Sequence, residues 1–164
     1  MFRDMRRKAQ QLSADECEKI LSECTSGVLA VSGDDGYPYA VPLSYVYNDS
    51  KLYFHCALSG HKLDAVKHCD KASFCVVEKD DVVPEEYTTY FRSVIAFGRI
   101  RLPDGDELRR ALLLLARKYN PTDSEEHREA AIDRELSRTA VIELTAEHIT
   151  GKQAIELKRA ADSE

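Results

Sequence analysis

The order of extended runs and tight turns constrains the fold of this chain more than any single motif does. Residues 27–32 form a short apolar run, and further extended runs cover residues 39–47 and 51–56. The turns Asp34-Asp-Gly36 and Asn48-Asp-Ser50 separate them. Connections this short join antiparallel neighbours, because a parallel pair needs a crossover of a dozen or more residues. These residues therefore predict antiparallel strands and argue against a doubly wound parallel sheet.

Helical spacing and capping signals place helices between and after the strands. Ser13 and Glu16 form a capping box that begins a helix ending near Thr25. The other predicted helices cover residues 61–68, 106–119 and 124–136. Further strands are predicted at residues 71–78, 90–102 and 140–144, and a loop is predicted at residues 79–86. This order predicts a mainly β fold with flanking helices, an antiparallel barrel or curled sheet, in a single domain.

Composition excludes several classes of function. The formal net charge of −6 opposes nucleic-acid binding, and the basic residues between Arg3 and Lys8 fit a solvated N-terminal arm. No run approaches the ~18 apolar residues of a membrane-spanning helix, and no signal peptide is recognisable. Five cysteines at irregular spacing indicate reduced thiols. We therefore expect a cytoplasmic protein that binds neither nucleic acid nor a membrane.

The histidines and cysteines do not form a metal-binding or nucleophilic motif. Their spacings match no paired zinc-ligand pattern, so no metal is expected. His55 and Cys56 are neighbours on a strand and face opposite sides, which disfavours a Cys–His pair. Gly-x-Ser-x-Gly, Walker and Gly-x-Gly-x-x-Gly sequences are missing. No catalytic residue is therefore assigned, and any nucleotide-like cofactor must be held without a Rossmann loop.

Two local features suit a cofactor. The strand that includes His55 breaks at Ser59-Gly60, and a helix restarts at His61 and Lys62, where free N–H groups favour an anion such as phosphate. A solvated turn explains the same pattern. Pro38 and Pro42 lack N–H donors, so their strand is expected at an edge, where a ligand could meet its free backbone groups.

Three runs also resemble the 5-nitroimidazole-resistance family of flavoproteins. They are Gly36-Tyr-Pro-Tyr-Ala-Val-Pro-Leu-Ser-Tyr-Val-Tyr47, Leu52-Tyr-Phe-His-Cys-Ala57 and Gly60-His-Lys-Leu-Asp64. This family lies within the pyridoxamine-5'-phosphate-oxidase-like FMN-binding split-barrel superfamily. The resemblance implies one FMN-binding split-barrel domain over residues 1–164, with an N-terminal arm at 1–12 and a C-terminal tail at 153–164.

The resemblance also implies a homodimer with two FMN sites at the subunit interface. By similarity, His61 and Lys62 hold the FMN phosphate and His55 lies beside the cofactor. The backbone along the flavin would belong to Tyr39, Ala40, Val41, Pro42, Leu43 and Ser44. Ser93 and, more weakly, Lys152 match positions that reach the flavin from the partner subunit. FAD is an alternative to FMN.

The expected function is FMN-dependent reduction of small electrophilic or nitroaromatic compounds, with reduced nicotinamide as a candidate electron donor. Two alternatives stay open: flavin binding or sequestration without turnover, and a reaction on another ligand such as haem or a B6 vitamer. The family's basic pair is often Arg-Lys. With His61 in place of the arginine, phosphate affinity should be somewhat weaker and should fall as pH rises. The Arg-rich C-terminal motif of vitamin B6 oxidases is not found, and Ile155-Glu-Leu-Lys-Arg159 does not replace it. Pyridoxamine-phosphate oxidation is therefore not expected.

Overall fold

In the computed structural model, which describes residues 2–161, every strand of the described chain joins one seven-stranded antiparallel sheet. The strands are β1 (Ser26–Ser32), β2 (Pro38–Ser44), β3 (Val46–Asn48), β4 (Lys51–Ala57), β5 (Lys71–Val83), β6 (Thr88–Arg101) and β7 (Thr139–Gln153). Their order across the sheet is β2-β1-β5-β6-β7-β4-β3. The two edge strands are therefore consecutive in sequence, and Tyr45 alone lies between them. Because one residue joins both edges, the sheet curls into a barrel, as predicted.

The seam between the two edges is closed by a side chain instead of a strand ladder. The Tyr119 hydroxyl accepts a hydrogen bond from the Tyr45 N–H at 2.9 Å and lies 2.9 Å from the Tyr45 carbonyl. The Thr25 carbonyl is a further partner of this hydroxyl. Backbone groups that no strand pairs are thus satisfied by one tyrosine, as buried polar groups require.

Five helices surround the barrel within the described residues. They are α1 (Ala14–Glu23), α2 (His61–His68), α3 (Gly105–Tyr119), α4 (Glu125–Glu135) and α5 (Ile155–Ala161). The capping box of Ser13 and Glu16 is formed. Helix α1 packs on β3, β6 and β7, and α2 packs on β1 and β6. Helices α3 and α4 pack against each other, and α3 also contacts β4 and β7.

Aromatic side chains fill the barrel. The Phe74 ring lies 4.8 Å from Tyr45 and 4.9 Å from Phe54, measured between centroids, and all three residues are fully buried. Helix α1 adds Ile20 and Leu21 to this cluster, and α2 adds Leu63. The helices therefore contribute side chains to the same core as the sheet.

The outer surface of the barrel divides into two walls. The covered wall is the outer face of β4 and β7, where Val141 and Glu143 are buried although neither belongs to the barrel core. The open wall is the outer face of β2, β1, β5 and β6, where Pro42, Val28, Cys75 and Ile95 lie side by side in register. Val28 and Val77 are exposed there.

Three predicted boundaries were wrong. The strand predicted over residues 39–47 is two strands, because the chain crosses the seam at Tyr45. The loop predicted at 79–86 continues β5 to Val83 and ends in a 3-10 turn at Pro84–Glu86, because its polar residues pair with β6. The strand predicted at 140–144 extends to Gln153 for the same reason.

The terminal segments are partly ordered against the sheet. Arg3, Arg6, Arg7 and Lys8 are exposed, as expected for an arm. In contrast, Leu12 is buried, and its N–H donates to the Gly151 carbonyl at 3.0 Å. The predicted tail contains α5, and its residues 162–164, like residue 1 of the arm, lie outside the described residues.

No helix within residues 2–161 has the length and apolar character needed to cross a membrane.

Candidate functional site

The corner between β4 and α2 has the geometry expected of an anion site. Gly60 precedes the helix with φ of 127°, a backbone conformation that favours glycine. The N–H groups of Leu63 and Asp64 both donate to the Gly60 carbonyl, at 2.9 and 3.2 Å. The N–H groups of His61 and Lys62 donate to no group of the described chain. Two donors at the positive end of the helix are thus available to a ligand.

The basic pair at this corner divides into one engaged and one unpaired side chain. The His61 ring stacks on Tyr39 with centroids 4.1 Å apart, and its Nε2 lies 3.6 Å from Asp34 Oδ2. Lys62 forms no ion pair with any described residue. Burial raises the pKa of the nearby Cys56 thiol, although the Lys62 charge opposes that shift. Lys62 is therefore the stronger candidate to hold an anion, and the His61 ring is positioned by Tyr39.

Strand β2 is an edge strand, as its prolines predicted, because it pairs only with β1 in the described sheet. Its residues alternate between the two faces. Tyr39, Val41 and Leu43 pack against the core, so only their backbone groups can face a ligand. Ala40, Pro42 and Ser44 are exposed on the outer face.

The structure places Ser93 and Lys152 together, apart from the corner. They are register partners on β6 and β7, and Lys152 Nζ lies 5.1 Å from the centre of the Phe91 ring. Ser93 also pairs with Val77, which is exposed on the outer face of β5. Strands β1 and β5 separate β6 from β2, and three strand spacings amount to about 14 Å. Within one chain, Ser93 and Lys152 therefore do not share a site with β2.

His55 lies in a third place, on the covered wall. It lines a cavity of about 540 Å³ together with residues of α3, α4 and the loop between them. Leu112 and Ala116 of α3 and Ala131 and Ile132 of α4 form its apolar part. His55 thus faces a preformed cavity instead of the corner at His61.

Sequence reasoning missed the polar groups of this cavity. His127 Nδ1 lies 2.9 Å from both carboxylate oxygens of Asp123, and this hydrogen bond holds the pKa of Asp123 below its usual value. The residues are four apart in sequence, which is also the spacing of an ordinary pair on a helix surface. That spacing could have drawn attention to the pair, but nothing local connects it to His55.

The fold is an antiparallel split barrel, and the N-terminus of α2 at its edge carries two N–H groups with no partner in the described chain. A family description, pyridoxamine 5'-phosphate oxidase, matches residues 13–153. The chain belongs to this family, and the expected split-barrel resemblance is confirmed at that level. A search of the curated proteins gave no match.

Solved structures share the fold. A candidate 5-nitroimidazole antibiotic resistance protein from Bacteroides thetaiotaomicron VPI-5482 is 20% identical, with 87% of this chain and 85% of that chain covered and a TM-score of 0.72. An FAD-binding protein from Mesorhizobium loti is 26% identical, with 88% and 97% covered and a TM-score of 0.63. The FAD and heme binding protein from Mycobacterium smegmatis is 22% identical, with 88% and 73% covered and a TM-score of 0.74.

Proposed function

We propose that this protein is a flavoprotein that binds FMN with its phosphate at the N-terminus of α2. The observation that carries the proposal is Lys62, a cation with no ion-pair partner in the described chain, next to two unbonded N–H groups. Charge-assisted bonds from such groups suit a phosphate. The similarity to FAD-binding proteins of the same fold supports a flavin and keeps FAD as the alternative cofactor.

The free edge of β2 fits the polar rim of the flavin ring. The backbone of residues 39–44 has no strand partner on that side, and Pro38 and Pro42 leave its acceptors in excess of its donors. Ala40 and Ser44 add little bulk on the outer face. When bound, the flavin supplies hydride and electron transfer, and the chain supplies binding and orientation.

The proposal includes a homodimer in which the partner's Ser93 and the partner's Lys152 complete each site. Two observations support this arrangement. Within one chain these two residues lie on a different part of the barrel from β2. The open wall that carries Ser93 also exposes Val28 and Val77, and contiguous apolar surface of this kind is typical of protein interfaces.

The proposed reaction is the reduction of small electrophilic or nitroaromatic compounds by the reduced flavin, with reduced nicotinamide as electron donor. The similarity to the Bacteroides protein supports nitro compounds as the substrates that are reduced. A cytoplasmic location belongs to the proposal, and the five cysteines, all free, support a reducing compartment.

Flavin titration of the purified apoprotein tests the cofactor site. We expect a yellow complex with FMN, and Lys62→Ala should raise the dissociation constant about tenfold or more, because a hydrogen bond to a charged group contributes about 1.5–3 kcal/mol. Lys67→Ala is the matched control, since Lys67 lies in the last turn of the same helix beside Asp64. Colourless protein, or equal constants for both variants, would overturn the phosphate assignment.

Subunit mixing tests the shared site. His61→Ala and Ser93→Leu variants are purified separately, mixed under conditions that exchange subunits, and titrated with FMN. In a two-fold dimer, random exchange should return about a quarter of the sites to full affinity. No recovery after proven exchange would mean that each site is built within one chain.

Turnover is measured last, because binding alone leaves flavin sequestration as the function. The holoprotein is mixed anaerobically with reduced nicotinamide and a nitroimidazole, and both absorbances are followed. We expect bleaching of the flavin by the donor and its return on addition of the nitro compound. A bound flavin that neither compound affects would favour the sequestering function.

A further inference from the structure

We infer that the β5–β6 hairpin, residues 79–92, docks on a second copy of this chain and inserts the Tyr87 ring at its tip into a groove on the partner's open wall. The groove surrounds Phe97, near the start of β5. The inference rests on the homodimer of the proposed function, and it adds which segments of the two copies meet.

The β5–β6 hairpin extends beyond the rest of the sheet. Strand β1 pairs with β5 only over residues 73–75, and β7 pairs with β6 only as far as Arg92. Past these limits, residues 79–83 pair with residues 88–92 and with no other strand of the described chain, over a length of about 17 Å. A two-stranded hairpin by itself is marginally stable in water, so this one is expected to gain support from another molecule.

The tip of the hairpin presents an aromatic ring in a strained conformation. Tyr87 follows the 3-10 turn at Pro84–Glu86 with φ of 51°, in the left-handed region that favours glycine and costs a bulky residue free energy. Tyr87 is 98% exposed, so nothing in its own chain compensates for that cost. Tyrosine is a frequent anchor in protein interfaces. Its placement here indicates a contact outside the chain.

The outer face of the hairpin continues the open wall. Phe91 and Thr89 follow Ser93 at intervals of two residues along β6, so their side chains share its face. Their register partners on β5 are Asp80 and Val82, and Val82 is 69% exposed. A second copy that covers the open wall would therefore also cover this face of the hairpin.

The groove lies at the other end of the same wall. It consists of two cavities of about 380 and 260 Å³ that share Lys71, Ala72 and Phe97. Phe2 borders the larger cavity, and its ring stacks on His148 with 4.7 Å between centroids. The Phe2 and Phe97 centroids are 5.7 Å apart. An aromatic lining beside a lysine suits the ring and hydroxyl of a tyrosine.

Unpaired charges at the two ends of β5 are complementary. Lys71 begins the strand and forms no ion pair with any described residue. Asp80 and Glu85, at the hairpin end, also have no ion-pair partner within residues 2–161. When two open walls pack with their β5 strands antiparallel, two-fold symmetry brings each acidic end to the partner's Lys71. Parallel packing would bring like charges together, so the charges select the antiparallel arrangement.

The groove also borders the strand proposed for the flavin. Its smaller cavity includes Ala30 and Ser32 of β1, whose register partners on β2 are Ala40 and Pro38. Adjacent strands are about 5 Å apart. The partner's Tyr87 would therefore lie close to the flavin strand, and each site would be incomplete without the second copy.

Tryptophan fluorescence tests where the tip lies. The chain contains no tryptophan, so Tyr87→Trp introduces a single reporter. We expect its emission maximum to lie at shorter wavelength in the dimer than after dilution to the monomer, because docking removes the ring from water. Ala130→Trp, on the exposed surface of α4, is the matched control and should emit at long wavelength in both states.

A charge swap tests the orientation by analytical ultracentrifugation. Glu85→Lys should raise the dimer dissociation constant about fivefold, because the lost pair occurs twice in a two-fold dimer, and so should Lys71→Glu. The variant with both changes should return to within about twofold of the parent. Glu126→Lys, which changes the net charge equally on exposed α4, should leave association unaltered.

Tyr87→Gly separates the contact from the strain. Glycine adopts the left-handed conformation at little cost, so the monomer should unfold at higher urea concentration than its parent. Loss of the ring should nevertheless raise the dimer dissociation constant about tenfold. A dissociation constant that stays the same would contradict the docking of Tyr87.

The outcomes separate the inference from the proposed function. A dimer whose Tyr87→Trp reporter emits as in the monomer, or a double variant that associates no better than Glu85→Lys, would overturn the inference and leave the proposed homodimer in place. A protein that stays monomeric at every concentration would overturn both. Burial of the reporter and rescue by the charge swap in a protein that takes up no flavin would support the inference and reject the proposed function.

Discussion

The covered and open walls belong to one sheet, yet their side chains differ in exposure to solvent. On the covered wall, Glu143 is 2% exposed and Val141 is fully buried, because α3, with α4 packed against it, lies over β4 and β7. On the open wall, Val28 is 40% exposed and Val77 is 59% exposed. The open wall is the more apolar of the two at its centre, where Val28, Cys75 and Ile95 lie in register. The difference in exposure lies in the chain's own helices, which cover only one wall.

This contrast indicates what the open wall needs. An apolar sheet face that no helix covers is expected to bury itself against another molecule. The proposed dimer supplies a second open wall, and the predicted flavin residues Ser93 and Ala40 lie on the same outer surface. The two walls would then have different tasks: one associates subunits and the other contains a cavity within each subunit.

The largest expected effect is on association. A lysine at Val28 would place a charge in the centre of the open wall, and burying it should raise the dimer dissociation constant about 100-fold or more. Analytical ultracentrifugation measures the change. Ala130→Lys, on the exposed surface of α4, is the control that should leave association unaltered. A Val28→Lys protein that stays as associated as its parent would remove the distinction between the walls.

The next effect is on the free energy of unfolding, and it should be larger at the covered wall than at the open wall. Leu115 is buried between α3 and the covered wall, so Leu115→Ala should lower the free energy of unfolding by about 2–5 kcal/mol. In the Val28→Lys monomer, Val77→Ala should change the free energy of unfolding by less than about 0.5 kcal/mol. Urea denaturation measures both. Equal losses would show that the open wall is already packed within one chain.

A smaller effect concerns acid stability. Although burial opposes ionisation of Glu143, hydrogen bonds from Arg101 at 2.8 and 3.0 Å and the Lys51 charge at 3.3 Å keep its pKa below the usual value. The lowered pKa contributes stability above the ordinary glutamate pKa, and that stability is lost as pH falls through the folded-state pKa.

Glu143→Gln should therefore lower the free energy of unfolding by about 1–3 kcal/mol at neutral pH. The difference between the variant and the parent should become smaller in acid. Thermal unfolding as a function of pH measures it. Glu147→Gln, which removes an exposed partner of Arg99, should cost less than about 1 kcal/mol. A constant difference between Glu143→Gln and the parent from neutral to acidic pH would contradict the linkage.

The smallest expected effect is on thiol labelling. Burial raises the pKa of Cys75 on the open wall, and that of the buried Cys17 to about 11. In the Val28→Lys monomer, Cys75 should react with an alkylating agent about fivefold faster than in the dimer, whereas Cys17 stays protected in both. Peptide mass spectrometry resolves the two sites. Equal Cys75 rates would place the subunit contact elsewhere.

Local sequence signals predicted most of the fold. The prediction was wrong where the extent of a strand depends on which distant strand it pairs with. The start of α2 at His61 follows from the break at Gly60, and the Ser13 cap of α1 follows from its box. The Tyr45 break was missed because both of its flanking strands are extended. The distal part of β7 was missed because its polar residues gain strand structure by pairing with β6.

The candidate site was predictable only where its residues are close in sequence. The corner of Gly60, His61 and Lys62 is a continuous segment, so its helix-start geometry followed from local chemistry. The cavity unites His55 with His127, which is more than seventy residues away, and no periodicity connects them. The stacking of His61 on Tyr39 likewise depends on where the β1–β2 turn lies in space.

The short join at Tyr45 also affects how this protein resists misassembly. A sheet edge with free N–H and C=O groups can recruit a strand from another molecule and begin a fibril. Here one edge carries two prolines, and the other is the three-residue strand β3. Because a single residue tethers these edges, neither can swing outward alone to present a long, unpaired ladder. Concentrated solutions of the folded protein should therefore form dimers without growing into cross-β aggregates.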